Sequence, residues 1–515
     1  MTRVRHPPLL HPFLFALYPV LYLYAGNIGE ARGLHAVGPA LVVLAGVGGL
    51  MALGRLVDRE GQRSGIFLSA LVVVFFSFGA VTGFLGNLEV AGFQPLRLRV
   101  VAPGLVLALA ALGFYLKSRP PSWGTSWTAN LNLVSGLLVG LVAMQALWGH
   151  ATRPVPPPLP AADIPVTRTV QDRPDLYVLI LDEFGRQDVL QEQFGLDLGP
   201  SLQALREIGF AVAEGSATNY SRTQPSISSM LNLDYHQDLQ DGQEVTEDHY
   251  LRWIQRIRQN RLIPFLRSQG YRIRTYTSAM AGTDGLVGVD EEVTSGALEG
   301  EFVESLVRGT PVPYLLETLG NPRAEGDRAH ARRIRFMFSD LEDSRPPHPT
   351  FTLAHILCPH PPYVFHADGQ PITRSEMAAL GWPRAVGEAP LPVYRAFYPE
   401  QTRYAATRVV EVARAILARP GPPPVILIVS DHGPQSQFLE DPDRYWKEPT
   451  PAVARERLAN LVALHAPGVD DETLRGITLV NAMRLALRQA TGAALPPLPD
   501  RCFFIGERAV EFPRP

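Results

Sequence analysis

LYVLILDE, residues 176–183, is a run of six apolar residues that ends on two carboxylates. An unbroken apolar stretch of this length suits a strand covered on both faces, as in the middle of a parallel sheet. VILIVSDHG, residues 425–433, repeats the pattern and ends on Ser430, Asp431, His432 and Gly433. FTLAHILCPH, residues 351–360, does so again and ends on Cys358, Pro359 and His360. Tyr271 to Tyr276 is a fourth β-leaning run, and helix-like patterns fill the intervals at Leu202 to Ile208, His249 to Gln269 and Tyr404 to Ala418. Strands alternating with helices predict an α/β body with a largely parallel sheet and helices on both faces. Ligands in such folds collect beyond the carboxyl ends of the strands. The three polar clusters fall at that edge.

Asp182, Asp431 and His432 offer carboxylate oxygen and imidazole nitrogen without sulfur, which suits Zn²⁺ or Mn²⁺. Taken singly they have ordinary explanations, Asp182 as a helix cap and Asp431-His432-Gly433 as a turn. Their positions after two separate buried strands favour one shared metal site. Glu183 stays open between a ligand, a partner of His432 and a solvated residue at a helix start.

NYSRTQPSISSMLN, residues 219–232, is dense in hydroxyls, and Pro225 suits the first turn of a helix. A helix starting near Pro225 would turn its N-terminus toward Thr223, where anions including phosphate are stabilised. A neutral hydroxyl is a poor nucleophile, but one coordinated to a divalent cation ionises near neutral pH. On composition alone the segment reads as an N-cap region. Arg222 suits an anionic substrate or a plain surface charge. Among the other histidines, His355 lies inside an apolar strand and reads as a hydrogen-bonded core residue, whereas His236, His348 and His465 read as surface or loop residues. Cys358 reads as a small buried hydrophobe.

Ahead of this body the composition changes. Five apolar segments approach spanning length: Pro12 to Ile28, Ala36 to Leu53, Ile66 to Leu85, Val100 to Leu116 and Leu131 to Trp148. They predict an all-α transmembrane domain of five helices over residues 1–149, a proline-rich linker over 150–173 and an extracytoplasmic catalytic domain over 174–515. With the N-terminus inside, Arg3, Arg5, Arg55, Arg59, Arg63, Lys117 and Arg119 face the cytoplasm, against Arg32, Arg97 and Arg99 outside. Five crossings then place residue 150 outside the cytoplasmic membrane. The spans carry almost no ionisable groups, which favours an anchor over a transport path.

LDEFGRQDVL, NYSRTQPSISSMLN, PHPPYVF and SDHG occur in the order typical of the alkaline-phosphatase superfamily. The chain resembles its sulfatase-like membrane branch, which includes the lipoteichoic acid synthases and phosphoethanolamine transferases. The resemblance covers nearly the whole soluble half by motif order; the membrane half matches in architecture alone. It implies an alkaline-phosphatase-like sandwich. It implies Asp182, Thr223, Asp431 and His432 as metal ligands, with Thr223 also the nucleophile. His360 is implied as a substrate-side histidine that stabilises phosphoryl oxygens or protonates the leaving group. Asn219, Arg222, Ser226 and His366 are expected to contact substrate. One divalent ion, Zn or Mn, is expected, with a second left open.

The chain departs from sulfatases where it matters for chemistry. Thr223-Gln224-Pro225-Ser226-Ile227 has Thr where sulfatases carry a Cys or Ser destined for formylglycine, and Ile where they carry Arg. Threonine cannot yield that aldehyde. The expected activity is transfer of a phosphate-ester group to or from an envelope lipid or glycan through a phospho-threonine. A phosphodiesterase, or a non-catalytic envelope protein of the same fold, are the alternatives. A net charge of -3 without a basic tract argues against nucleic acid, and no GxxxxGK[ST] loop is present for ATP.

Overall fold

The computed structural model describes residues 7–28, 33–86, 98–152, 164–166, 173–280, 282–296, 301–318, 325–382 and 389–515. The linker prolines Pro154, Pro156, Pro157, Pro158 and Pro160 lie outside the described residues. Two compact units result: Met1–Val155 with Gly296–Ala324, and Pro156–Ser295 with Glu325–Pro515.

The first unit contains α1 (His11–Gly26), α2 (Gly33–Val57), α3 (Gln62–Gly86), α4 (Leu98–Ser118) and α5 (Pro121–Thr152). Apolar runs become helices here because lipid offers the backbone no hydrogen-bond partner. Among the described residues, four stretches are long and apolar enough to cross a membrane: Ala36–Leu56, Gln62–Leu85, Val100–Ser118 and Trp123–Thr152. The expected count of five spans is therefore one too many. α1 has 16 residues, about 24 Å at 1.5 Å per residue, short of a hydrocarbon core of about 30 Å. Its start is tied to α5, where Asn132 Oδ1 accepts from the backbone N–H of Leu10 and His11.

Residues 296–324, expected in the catalytic domain, group with these helices instead. The helix Glu301–Arg308 buries Phe302 in a cluster with Val20 and Ala36. Gly79 N–H donates to Gly309 O at 2.8 Å. A Cβ at Gly79 would meet that oxygen at 3.0 Å, a tight contact that glycine avoids. Phe78 meets Tyr314 edge-on at 5.4 Å. Phe302 and Leu306 supply the apolar side of a short amphipathic helix that has found a second apolar surface.

The second unit is the α/β body. Its sheet holds β1 (Leu176–Leu181), β2 (Ala211–Val212), β3 (Arg272–Tyr276), β4 (Glu291–Val293), β5 (Thr350–Ile356), β6 (Val425–Val429) and β7 (Val462–His465), ordered β2-β7-β6-β1-β5-β3-β4. β1 pairs in parallel with β5 and β6, and β3 with β4 and β5. β7 is antiparallel to both its neighbours. The predicted strands all form, with β1 in the middle. β2, β4 and β7 were not expected from the sequence. They are two to four residues long, too short to stand out, and β4, reading EEV, is not apolar either.

Alternation along β1 sends Tyr177, Leu179 and Leu181 into one core and Leu176, Val178 and Ile180 into the other. Helices Leu391–Leu417 and Glu325–Asp343 contribute to the first core, and Thr223–Asn232, Leu262–Ser268 and Leu479–Thr491 to the second. The helical stretch expected over 249–269 is two helices, Glu247–Arg258 and Leu262–Ser268. Asn260 Oδ1 accepts from Ile263 N–H at 2.9 Å and starts the second one.

Candidate active site

Parallel register levels the ends of β1, β5 and β6. Asp182 N–H donates to Ile356 O at 3.0 Å and His360 N–H to Asp182 O at 3.2 Å. Ile180 lies opposite His355, and the two-residue period puts Asp182 on the face that Ile180 and His355 share. That face carries the helix Thr223–Asn232.

Four of the predicted residues converge. His432 Nε2 is 3.9 Å from Asp182 Oδ1, 3.3 Å from Asp431 Oδ2 and 3.2 Å from Thr223 Oγ1. His355 joins them, with Nε2 3.3 Å from Asp182 Oδ2. Asp182, His355 and Asp431 each direct a ligand atom to within 4.8 Å of the others'. The expectation of His355 as a purely structural core histidine is thus incomplete. Its Nδ1 lies 3.1 Å from Thr283 Oγ1, which fixes the ring and leaves Nε2 toward Asp182. His432 is held likewise, its Nδ1 3.1 Å from Gly433 O.

Both oxygens of Asp182, Oδ2 of Asp431 and Nε2 of His355 are buried without a hydrogen-bond partner. Buried polar atoms are rarely left so. Four such atoms of ligand type facing one another fit a divalent cation, with Thr223 and His432 completing the set. The charges agree. Burial raises Asp431 to about 6, helped by the charge of Asp182. Burial also opposes ionisation of Asp182, but His360, His355 and His432 outweigh it and hold that carboxyl well below the usual range. Burial, then the charge of Arg457, push His432 well below the usual imidazole value, so its lone pair is free for a metal.

The helix begins at Thr223 itself, two residues before the expected start, because Arg222 is extended and ends the preceding segment. Pro225 then occupies the first turn, where its missing N–H leaves no bond unmade. Ser226 Oγ donates to Tyr220 O at 2.6 Å and His236 Nε2 meets Pro225 O at 2.9 Å, both fastening this turn.

His236 is 4 % exposed, and burial pushes its imidazole down to about 4. The unfolded chain, at about 6.5, therefore binds a proton that the folded chain refuses. Stability from this residue is complete above pH 6.5 and declines toward pH 4, by about 3 kcal/mol in all. His236→Gln is expected to flatten the dependence of the urea midpoint on pH across that window. An unchanged slope would contradict it.

Glu183 has φ 66, a left-handed backbone unusual for its residue type. The turn lets its N–H donate to Asp431 Oδ1 at 3.0 Å, bracing a metal-facing carboxylate. Its own carboxylate turns away, with Oε1 accepting from Tyr394 Oη at 2.9 Å and from Arg457 Nη1 at 3.2 Å. Gly433 follows His432 where a Cβ would lie 2.2 Å from Glu456 O and 2.5 Å from Ala459 O. Gly433→Ala is expected to destabilise the α/β body by about 3 kcal/mol or more, visible as a lower urea midpoint. A midpoint equal to wild type would show that this turn yields.

The remaining predicted residues divide. His360 stands at the edge of the cluster; burial opposes its protonation, but Asp182 and Glu183 raise it above the ordinary imidazole value. Asn219, Ser226 and His366, expected to contact substrate, each bond to the scaffold. Asn219 Nδ2 donates to Arg501 O and its Oδ1 accepts from Val480 N–H. Ser226 is wholly buried beneath the helix start. His366 pairs with Glu376 at 3.1 Å and Glu400 at 3.7 Å. Arg222 lies over the Trp446 ring at 4.4 Å. Arg457, not anticipated from the sequence, enters the site from the helix Pro451–Leu458.

No family model matches the chain, and no curated protein matches it. Solved structures do. The C-terminal periplasmic domain of EptC from Escherichia coli is similar at 13% identity and a TM-score of 0.42, over 69% of this chain and 96% of that one. The phosphonate monoester hydrolase of Agrobacterium radiobacter is similar at 13% identity and 0.40, over 64% and 80%. A Vibrio parahaemolyticus protein of the alkaline phosphatase superfamily is similar at 12% identity and 0.40, over 67% and 75%. Likenesses this distant carry no function across, and the side chains have to do so.

Proposed function

We propose that the chain belongs to the metal-dependent phosphoester enzymes of alkaline-phosphatase type, with Thr223 as nucleophile. More particularly, it is a membrane-anchored transferase that moves a phosphate-ester group to or from an envelope lipid or glycan. The observation that carries the reading is the hydroxyl of Thr223, 3.2 Å from His432 Nε2 at the mouth of a cluster of unpartnered ligand atoms. The order of the four sequence motifs supports it.

A bound divalent cation, Zn or Mn, would supply positive charge that favours an ionised hydroxyl and offsets charge on the phosphoryl oxygens. Asp182, Asp431, His432, His355 and Thr223 would hold it. Thr223 Oγ attacks phosphorus, the bond to the first alcohol breaks, and His360 protonates the departing oxygen. An acceptor hydroxyl then gives its proton back to His360 and attacks phosphorus, releasing Thr223. The N-terminus of Thr223–Asn232 steadies the anion in both steps. Water as acceptor gives hydrolysis through the same intermediate.

The anchor fits a lipid donor and a multi-pass place in the cytoplasmic membrane. If α1 does not cross, the charge count falls from seven against three to five against five, since Arg3, Arg5 and Arg32 then share a side with Arg97 and Arg99. The side of residue 152 is unaffected. α2 to α5 still put it opposite the turns bearing Arg55, Arg59, Arg63, Lys117 and Arg119, which is outside if those turns are cytoplasmic.

The full chain in detergent is expected to cleave bis(p-nitrophenyl) phosphate, to lose that activity to a chelator and to regain it with Zn²⁺ or Mn²⁺. Vesicles of zwitterionic or anionic phospholipid with added glycerol would then show headgroup phosphate transferred to glycerol. Cleavage indifferent to chelator, or none with either metal, would overturn the reading.

A further inference from the structure

Phe302, Val303, Leu306 and Val307 recur at helical spacing, an apolar stripe on a segment that also carries Glu301, Glu304 and Arg308. Two short helices form here, Glu301–Arg308 and Val312–Thr318, joined through Gly309, Thr310 and Pro311. Both group with α1 to α5, although the chain enters them from the α/β body after Ser295 and returns to it after Ala324. Leu306 packs beside Phe302 in the cluster with Val20 of α1 and Ala36 of α2. Leu315, next to the Tyr314 ring that meets Phe78, is 55% exposed. On α3 itself Phe84 is 70% exposed, as a side chain facing acyl chains is.

Gly309 O accepts from Gly79 N–H. Gly79 precedes Leu85, the end of its span, by six residues. At 1.5 Å per residue that is a depth of about 9 Å, where amphipathic helices lie in a membrane surface. The turn suits a place without water. Thr310 N–H and Oγ1 donate to Val307 O at 2.9 and 2.7 Å, and Oγ1 accepts from Val312 N–H at 3.3 Å. Pro311 and Pro313 have no N–H to satisfy.

We propose that residues 301–318 are a membrane-inserted hairpin. Its partner is the phospholipid leaflet on the side of residue 152, and it attaches the α/β body to the bilayer independently of the linker. Sidedness supports this. α2 to α5 alternate in direction, so the start of α2, the end of α3 and the end of α5 share one side. The hairpin meets α2 and α3 near those ends, on the side where the chain passes into the α/β body. The inference rests on α2 to α5 crossing the membrane and does not depend on the metal centre.

The test uses the full chain with a protease site inserted after Pro158, reconstituted in vesicles of phosphatidylethanolamine and phosphatidylglycerol. It is cut from outside and floated through a density gradient at high salt. The C-terminal piece, which carries none of α1 to α5, is expected to float with the vesicles. Its appearance in the soluble fraction would overturn the proposal. Phe302→Glu/Leu306→Glu, and separately a glycine–serine run of equal length in place of 297–323, should each release about 10-fold more of it. If the piece floats undiminished with both, another surface holds it and the proposal falls. A fluorophore on Leu315→Cys reports what the hairpin touches, since both native cysteines are buried. The comparison is the same probe on Glu472→Cys, an exposed position of the α/β body. Nitroxide on the acyl chains should quench the probe at 315 about 5-fold more, and aqueous iodide about 5-fold less. Equal quenching by iodide at the two positions would put Leu315 in water and overturn the lipid assignment. Loss of the uncut chain from vesicles in alkaline wash would overturn the anchor, and the proposal with it.

Discussion

Thr223→Ala is expected to lower phosphodiester cleavage by about 10⁴-fold or more, the scale seen when a covalent nucleophile is deleted. The chain's own geometry makes this a clean substitution. The hydroxyl contacts His432 at the metal-facing end of the site, while the bonds that fasten the helix belong to Ser226 and His236. In metal-free buffer the variant should therefore keep the wild-type unfolding midpoint. Intact-mass measurement of the full chain, quenched during turnover of a phospholipid donor, should show a phosphate-ester adduct on wild type and on Thr223→Ser, and none on Thr223→Ala. An equal adduct on the alanine variant would remove Thr223 from the chemistry and leave the cluster of carboxylates and histidines without its reacting partner.

Asp182→Asn is expected to weaken metal binding by about 10³-fold, since it removes one charge from a carboxylate whose two oxygens have no hydrogen-bond partner. The readout is thermal. A ligand that binds only the folded chain stabilises it by about 4 kcal/mol at a thousandfold excess over Kd. Added Zn²⁺ or Mn²⁺ should raise the midpoint of wild type and leave that of Asp182→Asn in place. Equal shifts in the two proteins would move the ion elsewhere.

The sequence disclosed the centre of the α/β body better than its periphery. β1, β5 and β6 announce themselves because both their faces are covered, so nearly every residue is apolar and the first polar residue marks the edge. β2 and β4 are too short or too polar to show, and β7 is a four-residue run. Asp182, Asp431 and His432 were legible for the same reason, as chemistry appended to buried strands. His355 was hidden by its own apolar neighbours. Its position one residue before the end of β5 was the available clue, since ligands gather at that edge. Arg457 left no trace, because a basic residue in a short helix normally faces water. Asn219, Ser226 and His366 are polar residues beside the right motifs, and their bonds go to the scaffold. Helix α1 shows a further limit, since apolar character continues to Ile28 while the helix closes at Gly26.

The helix Glu301–Arg308 bears on how this molecule is handled. Trimming away everything before residue 156 to obtain a water-soluble enzyme looks natural from the hydropathy. The remaining piece would still carry Phe302 and Leu306, stripped of the greasy surface against which they rest, as a sticky flag in the middle of the chain. Clumping of such a truncate would then report on this segment and not on a failure of the sheet to form. Excising residues 296–324 along with the anchor is the cut that respects where the chain actually changes company.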